Sequence, residues 1–186
     1  MSVQIDKWVF TVDEYNRMTT AGILTEDDRV ELIRGELIRM SPIGSGHAAC
    51  VKRLNNILGK KASAYAIISV QDPVQIDNYS LPQPDLALLT SRADFYSHSH
   101  PTGNDVLLII EVSDTSIEYD RNVKLPLYAE ASIIEVWLVN LREDRIEVYS
   151  RPVAGKYKDV RFVNRGESIS PIALPDVTVS ANEILG

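Results

Sequence analysis

Two short, almost purely apolar runs constrain this chain most. They are VLLIIEV (106–112) and IIEVWLV (133–139), and both are rich in the β-branched residues that strands prefer. Neither run alternates strictly between apolar and polar residues, which is typical of strands covered on both faces. The two runs therefore predict a layered protein in which helices flank a central sheet.

The order of the remaining patterns sets the fold class. A hairpin is predicted over 29–40, and apolar residues at helical spacing predict a helix from about 45 to 65. Strand patterns follow on either side of 77–78, then a helix over about 120–131, then more strands. This order predicts an α/β (α+β) fold with a mixed sheet. The length and the lack of a linker-like stretch predict a single domain over 1–186.

Local signals mark where several elements begin or turn. Capping boxes at Thr11 and Ser180 each predict the start of a helix. Arg34-Gly35 predicts a tight hairpin turn, with the glycine supplying a positive φ. Pro126 would disrupt a helix interior, so the helix over about 120–131 is predicted to begin near Lys124 with Pro126 in its first turn.

Charge is unevenly distributed along the chain. The net charge is −7, which argues against a protein that coats DNA non-specifically through many Lys and Arg contacts. Residues 37–71 nevertheless hold five Lys or Arg and no Asp or Glu, so the rest of the chain carries −12. The basic helix in this segment presents either an ordinary solvated face or a small surface that binds an anion.

Cysteine content and hydropathy bear on the compartment. The lone cysteine, Cys50, forms no internal disulfide and fits a reducing cytoplasm. No apolar run approaches the roughly 20 residues that span a bilayer, and the N-terminal stretch contains no signal-peptide core. We expect a cytoplasmic protein with no membrane partner.

Two acidic residues stand in otherwise apolar strands. Glu111 lies within VLLIIEV, and Asp85 follows Pro84 at the start of DLALL. A buried carboxylate is costly unless it is paired or bound to a cation. Two carboxylates at matching ends of adjacent strands would suit a hard cation such as Mg²⁺. Lys124, thirteen residues beyond Glu111, could return to the same strand end from the next helix.

Taken singly, each of these residues is better explained by an ordinary structural role, because charged residues mostly serve solvation and pairing. Asp85 would cap a turn, and Glu111 would pair with an arginine. Lys124 would lie on the surface and pair with Asp120, four residues earlier on a helix.

Several segments, taken in order, resemble the Uma2 (DUF820) family of the PD-(D/E)XK nuclease superfamily. The segments are QPDLALL, LLIIEVSDTS, YDRNVKLPLYAE and IIEVWLVN. The resemblance extends over most of the chain and rests on the ordered set rather than on one motif. It implies a restriction-endonuclease-like core, a mixed sheet with flanking helices, together with extra β-hairpins.

The resemblance also implies roles for individual residues. Asp85 matches the PD element and Glu111 the acidic residue of (D/E)XK, so both would be metal ligands, with the carbonyl of Val112 as a third. The motif expects a lysine where this chain has Ser113. The family shares this departure and places a lysine on the following helix, which matches Lys124.

Other candidates carry weaker signals. Glu36, with Glu31 as the second choice, would supply a further catalytic carboxylate, or would be an exposed hairpin residue. His47 precedes the basic helix and would contact either a phosphate or its local backbone. His98 and His100 have no partner at zinc spacing and are interpreted as surface residues.

Two functions remain open from the sequence. The first is a Mg²⁺- or Mn²⁺-dependent endonuclease that hydrolyses phosphodiester bonds in DNA, with a homodimer expected from the resemblance. The second is a catalytically inactive module that keeps the nuclease fold and binds nucleic acid or protein.

Overall fold

A computed structural model describes residues 7–186. The first six residues, part of the N-terminal stretch considered for a signal peptide, lie outside this range. The helices in it are α1 (Val12–Thr20), α2 (Ser45–Lys61), α3 (Ile117–Tyr119), α4 (Leu125–Glu130) and α5 (Ala181–Leu185). The strands are β1 (Val30–Ile33), β2 (Glu36–Arg39), β3 (Ile67–Val70), β4 (Leu86–Leu89), β5 (Val106–Ser113), β6 (Glu135–Asn140), β7 (Arg145–Val153), β8 (Lys156–Val163), β9 (Ser168–Ile169) and β10 (Val179–Ser180).

A six-stranded mixed sheet forms the centre of the protein. Its strand order is β3-β4-β5-β6-β7-β8, and only β5 and β6 run parallel. These are the two apolar runs of the sequence, and Ile110 lies beside Trp137 in their register. A parallel pair needs a crossover connection, and the helical segment that contains α3 and α4 supplies it. The α/β fold with a mixed sheet and flanking helices is confirmed.

Helices cover both faces of this sheet. On one face Leu108, Ile110 and Val112 of β5 pack with buried residues of α2 and α5. On the other face Ile109 packs with Tyr128 of α4. Strict alternation would add Leu107 to the face of Ile109, but Leu107 packs with the first cluster instead, because the β4–β5 register shifts by a residue near Leu89.

The predicted hairpin forms a separate two-stranded sheet from β1 and β2. Its turn residues, Arg34 and Gly35, both have positive φ, of 51° and 77°. A Cβ on Gly35 would lie 2.6 Å from the Cβ of Val9, so the close approach of the N-terminal segment also requires glycine. Leu32 of β1 bridges to Leu81, which attaches the hairpin to the chain just before β4.

The crossover segment begins earlier than the sequence indicated. Pro126 does lie in the first turn of α4, but the chain is already helical from Ile117. A π-helical turn over Asp120–Lys124 joins the two parts, and the N–H of Leu125 donates to the carbonyl of Asp120, five residues back. Proline has no backbone N–H to donate. In the first turn of α4, just after the π-helical turn, the missing hydrogen bond does not break the helix.

Two of the four basic residues of α2 make intramolecular contacts. Arg53 donates to the carbonyls of Ile184 and Leu185, and Lys61 donates to that of Thr178. These two cations fasten the C-terminal segment to α2, whereas Lys52 and Lys60 are exposed. Within residues 7–186, no helix has the length and apolar character required to cross a membrane.

The inner face of α2 gives a direct test of the core. Leu54 is fully buried, so Leu54→Ala should lower the free energy of unfolding by about 2–5 kcal/mol, through lost burial and the cavity left behind. Lys52→Ala, on the exposed face of the same helix, should change it by less than about 0.5 kcal/mol. Urea denaturation measures both, and equal effects would contradict the packing described.

Candidate active site

The predicted carboxylates meet where β4 begins and β5 ends. Antiparallel pairing places Leu86 opposite Ile110, so the residue before β4 lies beside the end of β5. Asp85 Oδ2 accepts a hydrogen bond from the N–H of Val112 at 2.8 Å, and the N–H of Asp85 lies 3.4 Å from Glu111 Oε2. Two residues that are 26 positions apart in sequence therefore share one strand end.

Lys124 returns to this strand end from the crossover. Its ammonium lies 3.2 Å from Glu111 Oε1 and 3.2 Å from Glu31 Oε2, and all three side chains are almost completely buried. The exposed pairing with Asp120 considered for this lysine is therefore not what the structure shows. The structure brings together Asp85, Glu111 and Lys124.

The hairpin contributes Glu31 to this cluster, not Glu36. Glu36 is exposed next to the hairpin turn and pairs with Lys7 at 3.2 Å. Glu31 lies towards the open end of the hairpin, where it also accepts a hydrogen bond from the N–H of Gln83. Position along the hairpin explains why Glu31 joins the cluster and Glu36 does not. Glu36 pairs with Ile33, which lies two residues closer to the hairpin turn than Glu31.

Two further residues, Asp120 and Tyr128, belong to the cluster, and the sequence did not predict them as site residues. Asp120 accepts hydrogen bonds from the hydroxyls of Ser113, at 2.6 Å, and Ser116, at 2.7 Å. The hydroxyl of Tyr128 donates to Glu111 Oε1 at 2.6 Å. The spacing of Asp120, Lys124 and Tyr128 by four residues was the available signal, because such residues share one side of a helix.

His47 reaches the same strand end from the first turn of α2. Its Nε2 donates to Asp85 Oδ2 at 2.9 Å, and this hydrogen bond raises the pKa of His47. Gln71 donates to the other oxygen, Asp85 Oδ1, at 3.2 Å. Both carboxylate oxygens of Asp85 thus have partners on the protein. His98 and His100 are exposed, as expected.

The cluster has an excess of negative charge. Four largely buried carboxylates, on Glu31, Asp85, Glu111 and Asp120, surround the single ammonium of Lys124. The net pKa of Glu111 is raised to about 8. Burial raises this pKa most, the charge of Lys124 lowers it, and the charges of Asp120 and Asp85 raise it. Burial also raises the pKa of Asp120. Burial lowers the pKa of Lys124, but the carboxylates outweigh it and the net shift is upward.

These residues match a hard divalent cation in chemistry and charge. Asp85 and Glu111 offer carboxylate oxygens, and the main chain of Val112 runs past Asp85. No three acidic, cysteine or histidine side chains in residues 7–186 are already gathered as an ion's ligands. Asp85 and Glu111 instead hold hydrogen bonds with His47 and Lys124 that a cation would have to replace or share.

The cluster opens into a cavity of about 450 Å³. The β1–β2 hairpin and the loop that follows it form one wall, and the loop after β5 forms another. Two arginines, Arg29 and Arg39, line the hairpin wall. A cavity of this size encloses a small group and leaves the carboxylates reachable from one side.

Comparison with known proteins places this arrangement in a family. Residues 12–182 match the Uma2 family model, described as "Putative restriction endonuclease", so the chain belongs to that family. No curated protein matches the chain. The fold is similar to that of a crystal structure from Anabaena variabilis, described as a putative nuclease belonging to DUF820. The two are 13% identical, with a TM-score of 0.71 over 95% of this chain and 97% of that one.

The raised pKa of Glu111 predicts how stability depends on pH. Between its ordinary value of 4.5 and about 8, folded Glu111 keeps a proton that the unfolded chain has lost. The free energy of unfolding should therefore fall as the pH rises through this range. In EDTA, the melting temperature of the wild type should drop from about pH 6 to about pH 9 by more than that of Glu111→Gln.

Gln at position 111 keeps an oxygen for Lys124 and Tyr128 while removing the titrating group. Asp159→Asn changes an exposed carboxylate on β8 and serves as the control, because it should leave the wild-type pH dependence in place. A Glu111→Gln profile that parallels the wild type would refute the assignment of this shift to Glu111.

Proposed function

We propose that this chain is a divalent-cation-dependent nuclease that hydrolyses phosphodiester bonds in DNA, with Mg²⁺ or Mn²⁺ as the ion. The observation that carries the proposal is the meeting of Asp85, Glu111 and Lys124 at one strand end inside a cavity. Membership of a family described as restriction endonucleases supports the same activity.

Asp85, Glu111 and the carbonyl of Val112 are the proposed metal ligands. The excess of carboxylates over ammonium groups supports a cation here, because a bound cation would relieve the repulsion among them. A divalent cation bound there would polarise the phosphate and stabilise charge on the leaving oxygen. His47 and Gln71 hold Asp85 towards β5 and so fix the position of its oxygens.

Lys124 is the proposed counterpart of the motif lysine. Ser113 occupies the strand position of that lysine, and its hydroxyl is held by Asp120. Lys124 instead places an ammonium against Glu111 from the helix, where it can orient a water or neutralise developing negative charge. Glu31 and Tyr128 hold Lys124 and Glu111 in this arrangement.

The alternative is a nuclease-fold module that binds nucleic acid or protein without cutting it. The specific observation in its favour is that the oxygens of Asp85 and Glu111 are already hydrogen-bonded to protein groups.

A homodimer, a single domain over 1–186 and a cytoplasmic location stay predictions.

Cleavage of labelled DNA separates the two functions. With Mn²⁺ or Mg²⁺ the wild type should cut a DNA substrate, and EDTA should abolish the cutting. Asp85→Ala and Lys124→Ala should each lower the rate by at least about 100-fold, because each removes a group that stabilises the transition state. Circular dichroism should show that each variant is folded. A folded wild type that binds Mn²⁺ but cuts neither DNA nor RNA would contradict nuclease activity.

Metal binding is measured separately by calorimetric titration with Mn²⁺. We expect a saturable signal for the wild type, none for Asp85→Ala, and a raised melting temperature for the wild type alone. A titration without binding would favour the module that does not cut.

The two hairpin carboxylates are compared in the same cleavage assay. Glu31→Gln should slow cleavage because Glu31 contacts Lys124, whereas Glu36→Gln should leave the rate within about twofold because Glu36 lies outside the cavity. Equal losses for the two variants would contradict the placement of Glu31.

A further inference from the structure

A second cavity adjoins the candidate active site. It has a volume of about 980 Å³ and lies between α1, the start of β1 and the loop that follows β3. The two cavities share part of their lining, namely Arg29, Met40, Ile43, Gln71 and Gln83. The two cavities are therefore adjacent, and together they are called the groove, which extends from Asp85 to α1.

The lining of the second cavity combines apolar surface with polar groups that are mostly uncharged. Hydroxyl and amide groups come from Asn16, Thr19, Thr20, Thr25 and Gln83. Its one carboxylate, Asp72, is engaged by the hydroxyl of Ser69 at 2.9 Å. Amides and hydroxyls are the groups that pair with the edges of nucleobases, and Met40 and Ile43 add apolar surface for a base face.

The shared wall carries the charge that a phosphate needs. Arg29 lines both cavities and Arg39 lines the first, and neither forms an ion pair with any carboxylate whose side chain the structure describes. Guanidinium groups bind phosphate oxygens in pairs of hydrogen bonds. The groove thus alternates an acidic site, a basic wall and a polar cavity.

The active site is also recessed. The side chains of Glu111 and Lys124 are 4% and 6% exposed, and that of Asp85 is 13% exposed. A phosphate must enter the cavity to reach them, and a neighbouring nucleotide placed in the second cavity would have its base turned out of a helical stack. In a duplex each base is stacked and paired, so this turn costs the free energy of unstacking and unpairing. An unpaired strand is spared most of that cost.

We propose that the groove binds an unpaired DNA strand, with the scissile phosphate in the first cavity, an adjacent phosphate on Arg29 and the base between them in the second cavity. This inference rests on the proposed nuclease function and names its substrate class. The net charge of −7 agrees with it, since such a groove needs few phosphate contacts whereas broad duplex binding needs many.

Binding is tested by fluorescence anisotropy with Ca²⁺ as the probe cation. A labelled single-stranded oligonucleotide of about 12 nucleotides is compared with the same strand annealed to its complement. The single strand should bind at least about tenfold more tightly than the duplex. Equal or tighter binding of the duplex, or no binding of either, would overturn the inference.

Two tryptophan variants test the second cavity itself. Thr19 is exposed on α1 and lines this cavity, whereas Ala21, directly after α1, is exposed and lies outside it. Thr19→Trp should weaken binding of the single strand at least about tenfold by filling the cavity, and Ala21→Trp should change it by less than about twofold. Neither variant changes the charge. Equal binding by the two variants would also overturn the inference.

Cleavage of the same two DNA substrates with Mn²⁺ is scored independently. Tight, cavity-dependent binding of the single strand with no cleavage would uphold the binding mode and refute the nuclease function. Faster cleavage of the duplex than of the single strand would uphold the nuclease function and overturn the inference.

Discussion

The structure depends on one buried interaction, in which the ammonium of Lys124 contacts the carboxylates of both Glu111 and Glu31. Each of the three groups comes from a different part of the fold: the crossover, the central sheet and the β1–β2 hairpin. Removing one member of a buried ion pair leaves an uncompensated charge, which is far costlier than losing a surface pair. The same contact therefore joins the hairpin to the sheet and defines the floor of the candidate active site. The Nζ atom of Lys124 thus contributes both to the stability of the fold and to the candidate active site.

The carboxylates around Lys124 work against the stability of the protein that carries them. Glu111 and Asp120 lie near Asp85 at a strand end, where burial disfavours the ionised forms of Glu111 and Asp120 and so raises the pKa of each. Hydrogen bonds from Ser113, Tyr128 and His47 offset part of this cost. Such a concentration of like charge is typical of sites tuned for function rather than for packing. A cation would change the balance in favour of the ionised forms.

The sequence predicted the central strands and two of the site carboxylates, since an acidic residue is conspicuous in an otherwise apolar run. From the residues alone Lys124 was one candidate for this strand end, because thirteen residues of unspecified path separate it from Glu111, and the resemblance to a family is what implied its role. The choice between Glu31 and Glu36 depended on how far along the hairpin each residue lies from the site. Asp120 was overlooked for a different reason: an acid four residues before a lysine usually indicates a solvated pair on a helix surface.

The π-helical turn at Asp120–Lys124 gives the crossover one residue more than an α-helix needs for that turn. An α-helix advances about 100° per residue, so deleting a single residue here would rotate one half of the segment relative to the other by about that angle. Ser116 and Asp120 could then no longer face the same strand end as Tyr128. The rotation of α3 relative to α4 is thus set by the number of residues in the turn between them, and not by the identity of a side chain.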